Sequence, residues 1–310
     1  METIIPPVDL DLLEAELTED KFVRDTNNGS NKIYIFDHKD SPNLLREVGR
    51  LREITFRDAG GGTGKACDID DFDTADTPFQ QLIVWNPRDK EIVGGYRFIH
   101  CKEFLKDTDI SKVKTPTSRL FKLSETFIKD YLPHTIELGR SFVQPSYQPT
   151  FNIRKGMYSL DNIWDGLGAI VSDNPDVKYL FGKVTMYPHY DRLARDLVLH
   201  FLNKYFPDNK GLVKARVPII LTTDSKVLKN IFNGCNYEED YRILMQKVRS
   251  LNENIPPLVN AYMNLSATMK TFGTAINDHF GNVEETGIIV TVRDIYDFKI
   301  DRHVMTYRKS

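Results

Sequence analysis

Residues 79–100, FQQLIVWNPRDKEIVGGYRFIH, restrict the fold of this chain more than any other segment. Two runs rich in β-branched and aromatic residues flank the turn sequence NPRDK, an arrangement typical of a β-hairpin. Downstream, TIELGRSFVQ (135–144) and VKYLFGKVTM (177–186) predict two further strands, each followed by an amphipathic helix pattern. A hairpin that leads into alternating strands and helices predicts a mixed α/β domain.

The clearest helix pattern is SPNLLREVGRLREITFRD (41–58). Ser41 and Pro42 suit the N-cap and the first helical position, and leucine and valine residues then recur at helical spacing. Weaker patterns predict helices at 8–20, near 118–130, and at 158–173, 190–206, 224–233, 239–252 and 257–269, and strands at 32–37, 271–276 and 287–292. A chain of 310 residues is long enough for one large domain or two small ones.

Charge and composition exclude several classes of protein. With 41 basic and 44 acidic residues the formal net charge is -3, so no overall basic field indicates a nucleic-acid partner. The N-terminal residues lack the features of a secretory signal, and no apolar run approaches the roughly 20 residues that span a bilayer. Cys67, Cys101 and Cys235 include no C-x-x-C pair, which predicts neither a disulfide framework nor a zinc site. We expect a soluble cytoplasmic protein without a metal.

The glycine-rich stretch DAGGGTGKACDIDDFD (58–73) suggests a phosphate-binding or a calcium-binding loop, but it fits neither. A P-loop needs a glycine where Ala59 stands and a hydroxyl side chain where Ala66 stands. A calcium loop beginning at the first aspartate of DIDDFD would need an oxygen ligand at Phe72 and a glycine at Asp73. What remains is a flexible glycine segment that leads into a cluster of carboxylates.

Four short stretches, taken in order, resemble a known family. They are RLREITF (50–56), DIDDFD (68–73), EIVGGYRF (91–98) and ELGRSFVQPSY (137–147). Together they resemble the acyl-carrier-protein-dependent N-acyltransferases of the GNAT-like superfamily. These include the ornithine and glycine lipid synthases, often labelled hemolysin-like, the long-chain N-acyl amino acid synthases and, more distantly, the acyl-homoserine-lactone synthases. The resemblance covers about residues 44–200.

The resemblance implies an α/β fold with a GNAT-like mixed sheet flanked by helices and a C-terminal α+β extension. We therefore divide the chain into an N-terminal extension (1–40), an acyltransferase core (41–210) and a C-terminal extension packed on the core (211–310). In GNAT folds the strand that corresponds to ELGR is bulged and splayed from its neighbour. Its free N–H groups then face the thioester.

The function implied is transfer of a long-chain acyl group, plain or 3-hydroxylated, to the α-amine of a small amino acid such as glycine or ornithine, in aminolipid synthesis. The donor would be the phosphopantetheine thioester of acyl carrier protein, and no cofactor would stay bound. Acyl-CoA is the less favoured donor, because QPSYQPTFNIRKGMYSLDN (144–162) lacks the glycine spacing that binds pyrophosphate in CoA-using relatives. Since the product is apolar, we expect transient contact with the membrane surface, although no amphipathic or apolar insertion segment stands out.

Glu137 and Arg140 are the candidate catalytic pair. Three residues apart in a regular strand, they would point to opposite faces, and they can share a face only across a bulge, which Gly139 would favour. The resemblance implies that Glu137 is a base or an orienting group. Arg140 would anchor either a carboxylate or Glu137 itself. An ordinary structural Glu–Arg pair is the alternative.

The candidate substrate-binding residues come from the first three stretches. Arg52 and Phe56 lie one helical turn apart, so both can face one end of the sheet. Asp70 and Asp73 match the family's D-x-F-D element and could pair with Arg52, with Arg97 or with the incoming amine. The alternatives are a solvated acidic loop and, for Arg97, a surface arginine with a packed stem.

Arg154 and Lys155 could contact the acidic helix of a carrier protein, or could simply be exposed cations.

The H-x-x-x-x-D and G-x-S-x-G patterns of other acyl-transfer enzymes are absent. Two other functions stay open: an acyl-homoserine-lactone-type signal synthase, and a non-catalytic relative that binds carrier protein or lipid.

Overall fold

A computed structural model describes residues 1–105, 113–234 and 236–308. Within them the strands are β1 (Phe22–Asp25), β2 (Lys32–Phe36), β3 (Gln80–Asn86), β4 (Glu91–His100), β5 (Phe121–Leu123), β6 (Thr135–Val143), β7 (Tyr179–Met186), β8 (Val213–Ala215), β9 (Lys270–Asn277) and β10 (Val283–Thr291). The helices are α1 (Leu10–Glu16), α2 (Pro42–Asp58), α3 (Asp71–Thr74), α4 (Ile153–Gly156), α5 (Ser159–Asp173), α6 (Arg192–Tyr205), α7 (Ser225–Ile231), α8 (Tyr237–Ser250), α9 (Pro257–Met263) and α10 (Asp297–His303).

Eight of these strands form one sheet in the order β1-β2-β3-β4-β6-β7-β10-β9, and β5 pairs with β8 in a second, small sheet. Neighbours in the large sheet are antiparallel except β6 and β7, which are parallel. The predicted β3–β4 hairpin lies near the centre. The prediction of a mixed sheet flanked by helices is confirmed.

Helices cover both faces of the sheet. Because side chains alternate along a strand, neighbouring Leu82 and Ile83 of β3 point to opposite faces. Ile83 packs in the cluster that contains the apolar side of α2, and Leu82 packs in the larger cluster with α5, α6 and α8. We call these the α2 face and the α5 face.

Strand β6 contains a bulge where the sequence suggested one. Arg97 of β4 pairs with Gly139 and Gly95 pairs with Phe142, so three steps along β6 face two steps along β4. Arg140, and not Gly139, has the left-handed backbone conformation, with φ of 53°. A non-glycine residue in this region costs about 1–2 kcal/mol, which the surrounding contacts must offset. The bulge turns Arg140 to the α2 face, the side on which Glu137 also lies.

The parallel strands β6 and β7 separate where the bulge begins. Their pairing runs from Thr135 and Tyr179 to Leu138 and Gly182 and then stops, although both strands continue. On their outer edges β6 stays paired with β4, and β7 stays paired with β10. The result is a wedge-shaped gap in the middle of the sheet.

The start of α2 is capped differently from the prediction. Ser41 is at the N-cap and Pro42 follows, but the Ser41 hydroxyl donates to Asp40 and not to the helix. The free amides of Asn43 and Leu44 donate to the carboxylate of Glu16, at the end of α1, at 3.1 and 2.7 Å. An anion from the preceding helix therefore satisfies the positive end of α2.

The predicted helix near 118–130 is wrong. Its residues form β5 and then a short helical turn, Phe127–Tyr131. The apolar residues of the segment pack in the cluster around Phe181 and Phe272.

The large sheet crosses both of the domain boundaries proposed from the sequence, since β1 and β2 precede residue 41 and β9 and β10 follow residue 210. The division into three parts stays a prediction.

Candidate active site

Arg52, on α2, is fully buried and binds two buried carboxylates. Its Nη2 lies 2.9 Å from Oδ2 of Asp73, and its Nε lies 3.3 Å from Oδ2 of Asp68. Nη1 donates to the side-chain oxygen of Gln81 at 3.1 Å. A buried guanidinium is tolerated only when anions and acceptors surround it, so this arginine fixes the positions of both aspartates.

Arg97, on β4, extends the same network. Its two terminal nitrogens bind the two oxygens of Asp70 at 2.7 and 2.9 Å, and Nη1 is also 2.9 Å from Asp73. Although burial raises the pKa of both acids, the nearby arginines hold both pKa values below the usual range. The side chain of Arg97 is 2% exposed, so it is not a surface arginine.

Arg140 lies across the bulge from this network. Its Nε is 2.8 Å from Asp68, and its guanidinium stacks 4.2 Å from the ring centre of Phe280. Among the described residues no ion pair joins Arg140 to Glu137, so the structural Glu–Arg pair is not formed. Arg52, Arg97 and Arg140 together balance Asp68, Asp70 and Asp73, and the alternative of a solvated acidic loop is wrong.

The glycine segment brings the aspartates to the arginines. Gly60, Gly62 and Gly64 have φ of 86°, 91° and 76°, conformations that other residues rarely adopt. The segment wraps the buried carboxylate of Glu53, which accepts hydrogen bonds from the amides of Thr63 and Gly64 at 3.0 and 2.8 Å. It is therefore a structural turn that positions the DIDDFD stretch.

Short helix α3 completes this positioning. Asp70 accepts a hydrogen bond from the amide of Phe72, and the amide of Asp70 donates to Asp73, in a capping box. The two aspartates of the D-x-F-D element thus fix each other as well as the arginines.

Glu137 lies apart from the ion network. It is 1% exposed, and its Oε1 accepts the amide hydrogen of Thr117 at 2.9 Å. Oε2 has no hydrogen-bond partner among the described residues. Burial raises the pKa of Glu137, and the neighbouring polar groups of Thr117 and Thr115 and the charge of Lys183 only partly oppose this. A buried carboxylate with one free oxygen and a raised pKa is suited to accept a proton.

A cleft of about 680 Å³, counted to its open mouth, occupies the gap between β6 and β7. On the α2 face its walls include Phe56, Arg97, Glu137 and Arg140. On the α5 face it reaches α9 through residues such as Tyr262. The cleft therefore passes through the sheet.

An apolar pocket adjoins the cleft on the α5 face. Its walls come from β4, β6, α5 and α9, and Leu138, Ser141, Leu258 and Tyr262 line both spaces. Tyr96, 5% exposed, lines the pocket, and its hydroxyl has no partner among the described residues. The pocket thus has a mainly apolar wall that includes the unpartnered hydroxyl of Tyr96.

Most of the predicted site residues meet at this cleft. Phe56, Arg97, Glu137 and Arg140 line it, Asp70 and Asp73 bind its arginine Arg97, and Arg52 binds Asp73 behind them. Arg154 and Lys155 lie elsewhere, on α4. Lys155 is paired with Asp89 at 2.7 Å, whereas Arg154 is exposed.

Sequence reasoning missed Lys183 and Glu285, which face the cleft from β7 and β10 and form an ion pair at 3.0 Å. It also missed Thr117 and Phe280. A lysine within the apolar strand YLFGKVTM, and a glutamate within an equally apolar one, were the available signals, because charges are rare inside central strands.

Two other predictions bear on chemistry. Cys67 and Cys101 form no disulfide, and burial raises the pKa of the Cys67 thiol to about 11, which disfavours a nucleophilic thiolate. Cys235 lies outside the described residues. In the described parts of the chain, no cluster of acids, histidines or cysteines is suited to hold a metal ion, and no helix has the length and apolarity to cross a bilayer.

Comparison with known proteins now adds to this geometry. Residues 51–154 match the family model described as an acetyltransferase (GNAT) domain. A glycine N(alpha)-acyltransferase of Phocaeicola vulgatus is 52% identical over 310 residues, which are 100% of this chain and 95% of that protein. A protein of the same name from Bacteroides thetaiotaomicron is 53% identical over 310 residues, 100% of this chain and 92% of that protein. The chain belongs to the glycine N(alpha)-acyltransferase family.

This acyltransferase also resembles solved structures. It matches the acyl-homoserine lactone synthase BjaI with a TM-score of 0.40 and 11% identity over 87% of this chain and 86% of the other. LasI gives a TM-score of 0.31 and 18% identity over 51% and 74% of the two chains. Both scores are too low to say anything about substrates. Family membership identifies an amino-acid N-acyltransferase with a GNAT fold, and the non-catalytic alternative is not supported.

The buried network is expected to stabilise the acyltransferase strongly. Asp73→Asn leaves Arg52 and Arg97 with too little negative charge, and the free energy of unfolding in urea should fall by roughly 3–5 kcal/mol. Asp71→Asn, an exposed neighbour on α3, is the matched control and should change it by less than about 0.5 kcal/mol. Equal stability of the two variants would contradict the assigned role.

The same network predicts that the free energy of unfolding decreases at low pH. Asp70 and Asp73 have lowered pKa values in the folded protein, so their contribution is present above the unfolded value of about 3.9 and is lost as pH falls below it. Urea unfolding at a series of pH values should show stability falling below about pH 4. The fall should be shallower in Asp73→Asn.

Proposed function

We propose that this acyltransferase moves a long-chain fatty acyl group from acyl carrier protein to the α-amine of glycine, in the cytoplasm, as the first step of an aminolipid. The observation that carries the proposal is the position of Glu137, which lines the cleft where β6 and β7 part and whose buried Oε2 has no hydrogen-bond partner among the described residues. The names of the two relatives support glycine as the acceptor. The free thiols fit a reducing compartment.

The strand geometry supports attack on a thioester at the gap. Beyond Leu138, the edge of β6 that faces β7 has no strand partner, so its backbone amides are available to polarise a carbonyl oxygen. Glu137 takes one proton from the glycine ammonium. The amine nitrogen then attacks the carbonyl carbon, the C–N bond forms and the C–S bond breaks. The second proton leaves the nitrogen for the departing sulfur, and an amide and a thiol are released.

The donor is proposed to be a carrier protein because the loop after β6 offers little to a free nucleotide. The loop contains the short helix α4, and no glycine-rich turn presents a row of amides to pyrophosphate. Arg154 is exposed on this loop and can meet an acidic helix, whereas Lys155 is already paired with Asp89.

The apolar pocket favours a long acyl chain as the transferred group. The hydroxyl of Tyr96 favours a chain with a 3-hydroxyl group. The pocket is continuous with the cleft through Leu138 and Tyr262, so a chain attached to a thioester in the gap can enter it. A buried hydroxyl without a partner is costly, and a hydroxyl on the chain would satisfy it.

Amine-dependent release of thiol from acyl carrier protein tests the reaction. We expect release with glycine, more slowly with acyl-CoA as donor, and little with ornithine. Glu137→Gln should lower kcat by about a hundredfold or more, because a general base is lost. Glu125→Gln, on the surface, is the control. Release that does not depend on any amine would refute the proposal.

The pH dependence of kcat is a second test of Glu137 as the general base. The base must be ionised, so activity should decline as pH falls through the raised pKa of Glu137, at a pH above the ordinary glutamate value of about 4.3. This decline should be absent from the residual activity of Glu137→Gln. If the kcat of the wild-type protein stayed constant down to pH 4.3, Glu137 would be excluded as the general base.

Tyr96→Phe tests the 3-hydroxyl. The wild-type protein should use a 3-hydroxyacyl donor better than an unsubstituted donor of equal length, as judged by kcat/KM. Loss of one hydrogen bond should reduce this preference about threefold to tenfold. An unchanged ratio would mean that Tyr96 does not bind the chain.

Contact with the membrane surface is proposed for the loop that holds α4. Phe151, Ile153 and Met157 are 80%, 72% and 57% exposed, an apolar cluster that the sequence pattern did not reveal. The cluster precedes α5, whose Ile163 and Trp164 line the apolar pocket. Such side chains can enter the interfacial layer of a bilayer.

Co-sedimentation with phospholipid vesicles tests this contact. Ser substitutions at both Phe151 and Ile153 should weaken vesicle binding several-fold, because the apolar area available for insertion is lost. Ser substitutions at Val217 and Ile220, which are 77% and 85% exposed on another loop, are the control. Equal binding by the two double variants would exclude the α4 loop.

A further inference from the structure

A second, polar space opens from the cleft on the α2 face. This side pocket of about 380 Å³ shares Arg97, Arg140 and Lys183 with the cleft and adds Arg119 and Asn277. Unlike the apolar pocket across the sheet, it is lined mainly by charged and polar side chains. A small polar molecule that reacts in the cleft would therefore extend into it.

Most of the cations in the side pocket are already neutralised. Arg97 binds Asp70 through both terminal nitrogens, and Arg140 is held between Asp68 and Phe280. Arg97 cannot bind a ligand through its terminal nitrogens without breaking a buried pair, whereas Arg140 contacts Asp68 through Nε, and its Nη2 is 3.7 Å from Asp70. Arg140, the sequence-based candidate for anchoring a carboxylate, already has Asp68 as a counter-ion, so it offers less unbalanced charge than a cation without an ion pair.

Lys183 and Arg119 differ from these arginines. The ammonium of Lys183 contacts Glu285 at 3.0 Å and the carbonyl of Pro116 at 3.3 Å, which leaves one of its three N–H donors unused. Arg119 follows Pro116 by three residues, is exposed, and forms no ion pair within the described residues. The contact with Pro116 places the segment that carries Arg119 beside Lys183.

The formal charges around the cleft and the side pocket balance only while Glu137 is ionised, so protonation of Glu137 creates a need for one further anion. Five cations stand near the cleft: Arg52, Arg97, Arg119, Arg140 and Lys183. Five acids accompany them: Asp68, Asp70, Asp73, Glu137 and Glu285. When Glu137 takes up a proton it becomes neutral, and one positive charge is then unbalanced. A bound carboxylate would balance it.

We propose that Lys183 and Arg119 bind the carboxylate of the acceptor amino acid in the side pocket, with its amine directed to Glu137. The inference rests on the proposed function for the identity of the acceptor. It makes these two residues determinants of selection for amino acids over simple amines. The acceptor approaches from the α2 face and the acyl chain lies on the α5 face, so the two substrates meet at the gap.

A comparison of glycine with glycinamide distinguishes binding of the carboxylate from a purely structural role of these residues. Both compounds have the reacting amine, but glycinamide has a neutral amide in place of the carboxylate. For Arg119→Gln and Lys183→Gln, the KM for glycine should rise about tenfold or more, as expected for the loss of a hydrogen bond to a charged group. The KM for glycinamide should stay within about twofold, since a neutral amide gains little from either cation. Lys122→Gln, an exposed change on the same segment, is the control and should affect neither substrate.

Binding of glycine without a donor, followed by calorimetry, makes the test independent of turnover. Wild-type protein should bind glycine, and Arg119→Gln should bind it about tenfold more weakly. Arg119 is exposed, so this variant should fold even if Lys183→Gln does not.

Several outcomes would overturn the inference. They are unchanged KM and binding for glycine in the Arg119 variant, equal losses for glycine and glycinamide, and no glycine binding by the wild-type protein. Wild-type protein that binds glycine but releases no thiol would refute the proposed function alone.

Discussion

The burial of Arg52 is the constraint on which the active site depends. A guanidinium with no access to water must be surrounded by anions, and Asp68 and Asp73 supply them from the segment after α2. Arg97 and Arg140 then share these acids and Asp70. One network of charges thus joins a helix, the segment after the glycine turn and two central strands along the wall of the cleft.

The bulge in β6 depends on that network. Arg140 adopts a left-handed backbone conformation that is unfavourable for its side chain, and its contacts with Asp68 and Phe280 offset the cost. Where β6 bends, it leaves β7, and the sheet opens. Both strands stay paired on their outer edges, and among the described residues the edge of β6 at the gap has no strand partner beyond Leu138.

The sequence was most informative where function depends on short motifs. The positions of Glu137, Arg97 and Asp73 at one cleft were predictable, because each lies in a stretch with a recognisable pattern. Long-range contacts were not: Glu16 caps α2 across two strands, and Lys183 meets Glu285 only because β7 pairs with β10. The segment 118–130 was misread as a helix for the same reason, since its pairing with β8 lies far along the chain.

A gap that is open on both faces of the sheet also limits how the product departs. In the proposed binding mode, the acylated amino acid would span the sheet, with its chain beside Tyr96 on one face and its carboxylate beside Lys183 and Arg119 on the other. To leave as one piece, it would draw one end through the gap, which closes where β6 and β7 pair at Leu138 and Gly182. A head as small as glycine passes such a constriction far more easily than a branched or aromatic one. On the proposed function, the opening in the sheet would therefore act as a size filter on egress as well as a place for chemistry.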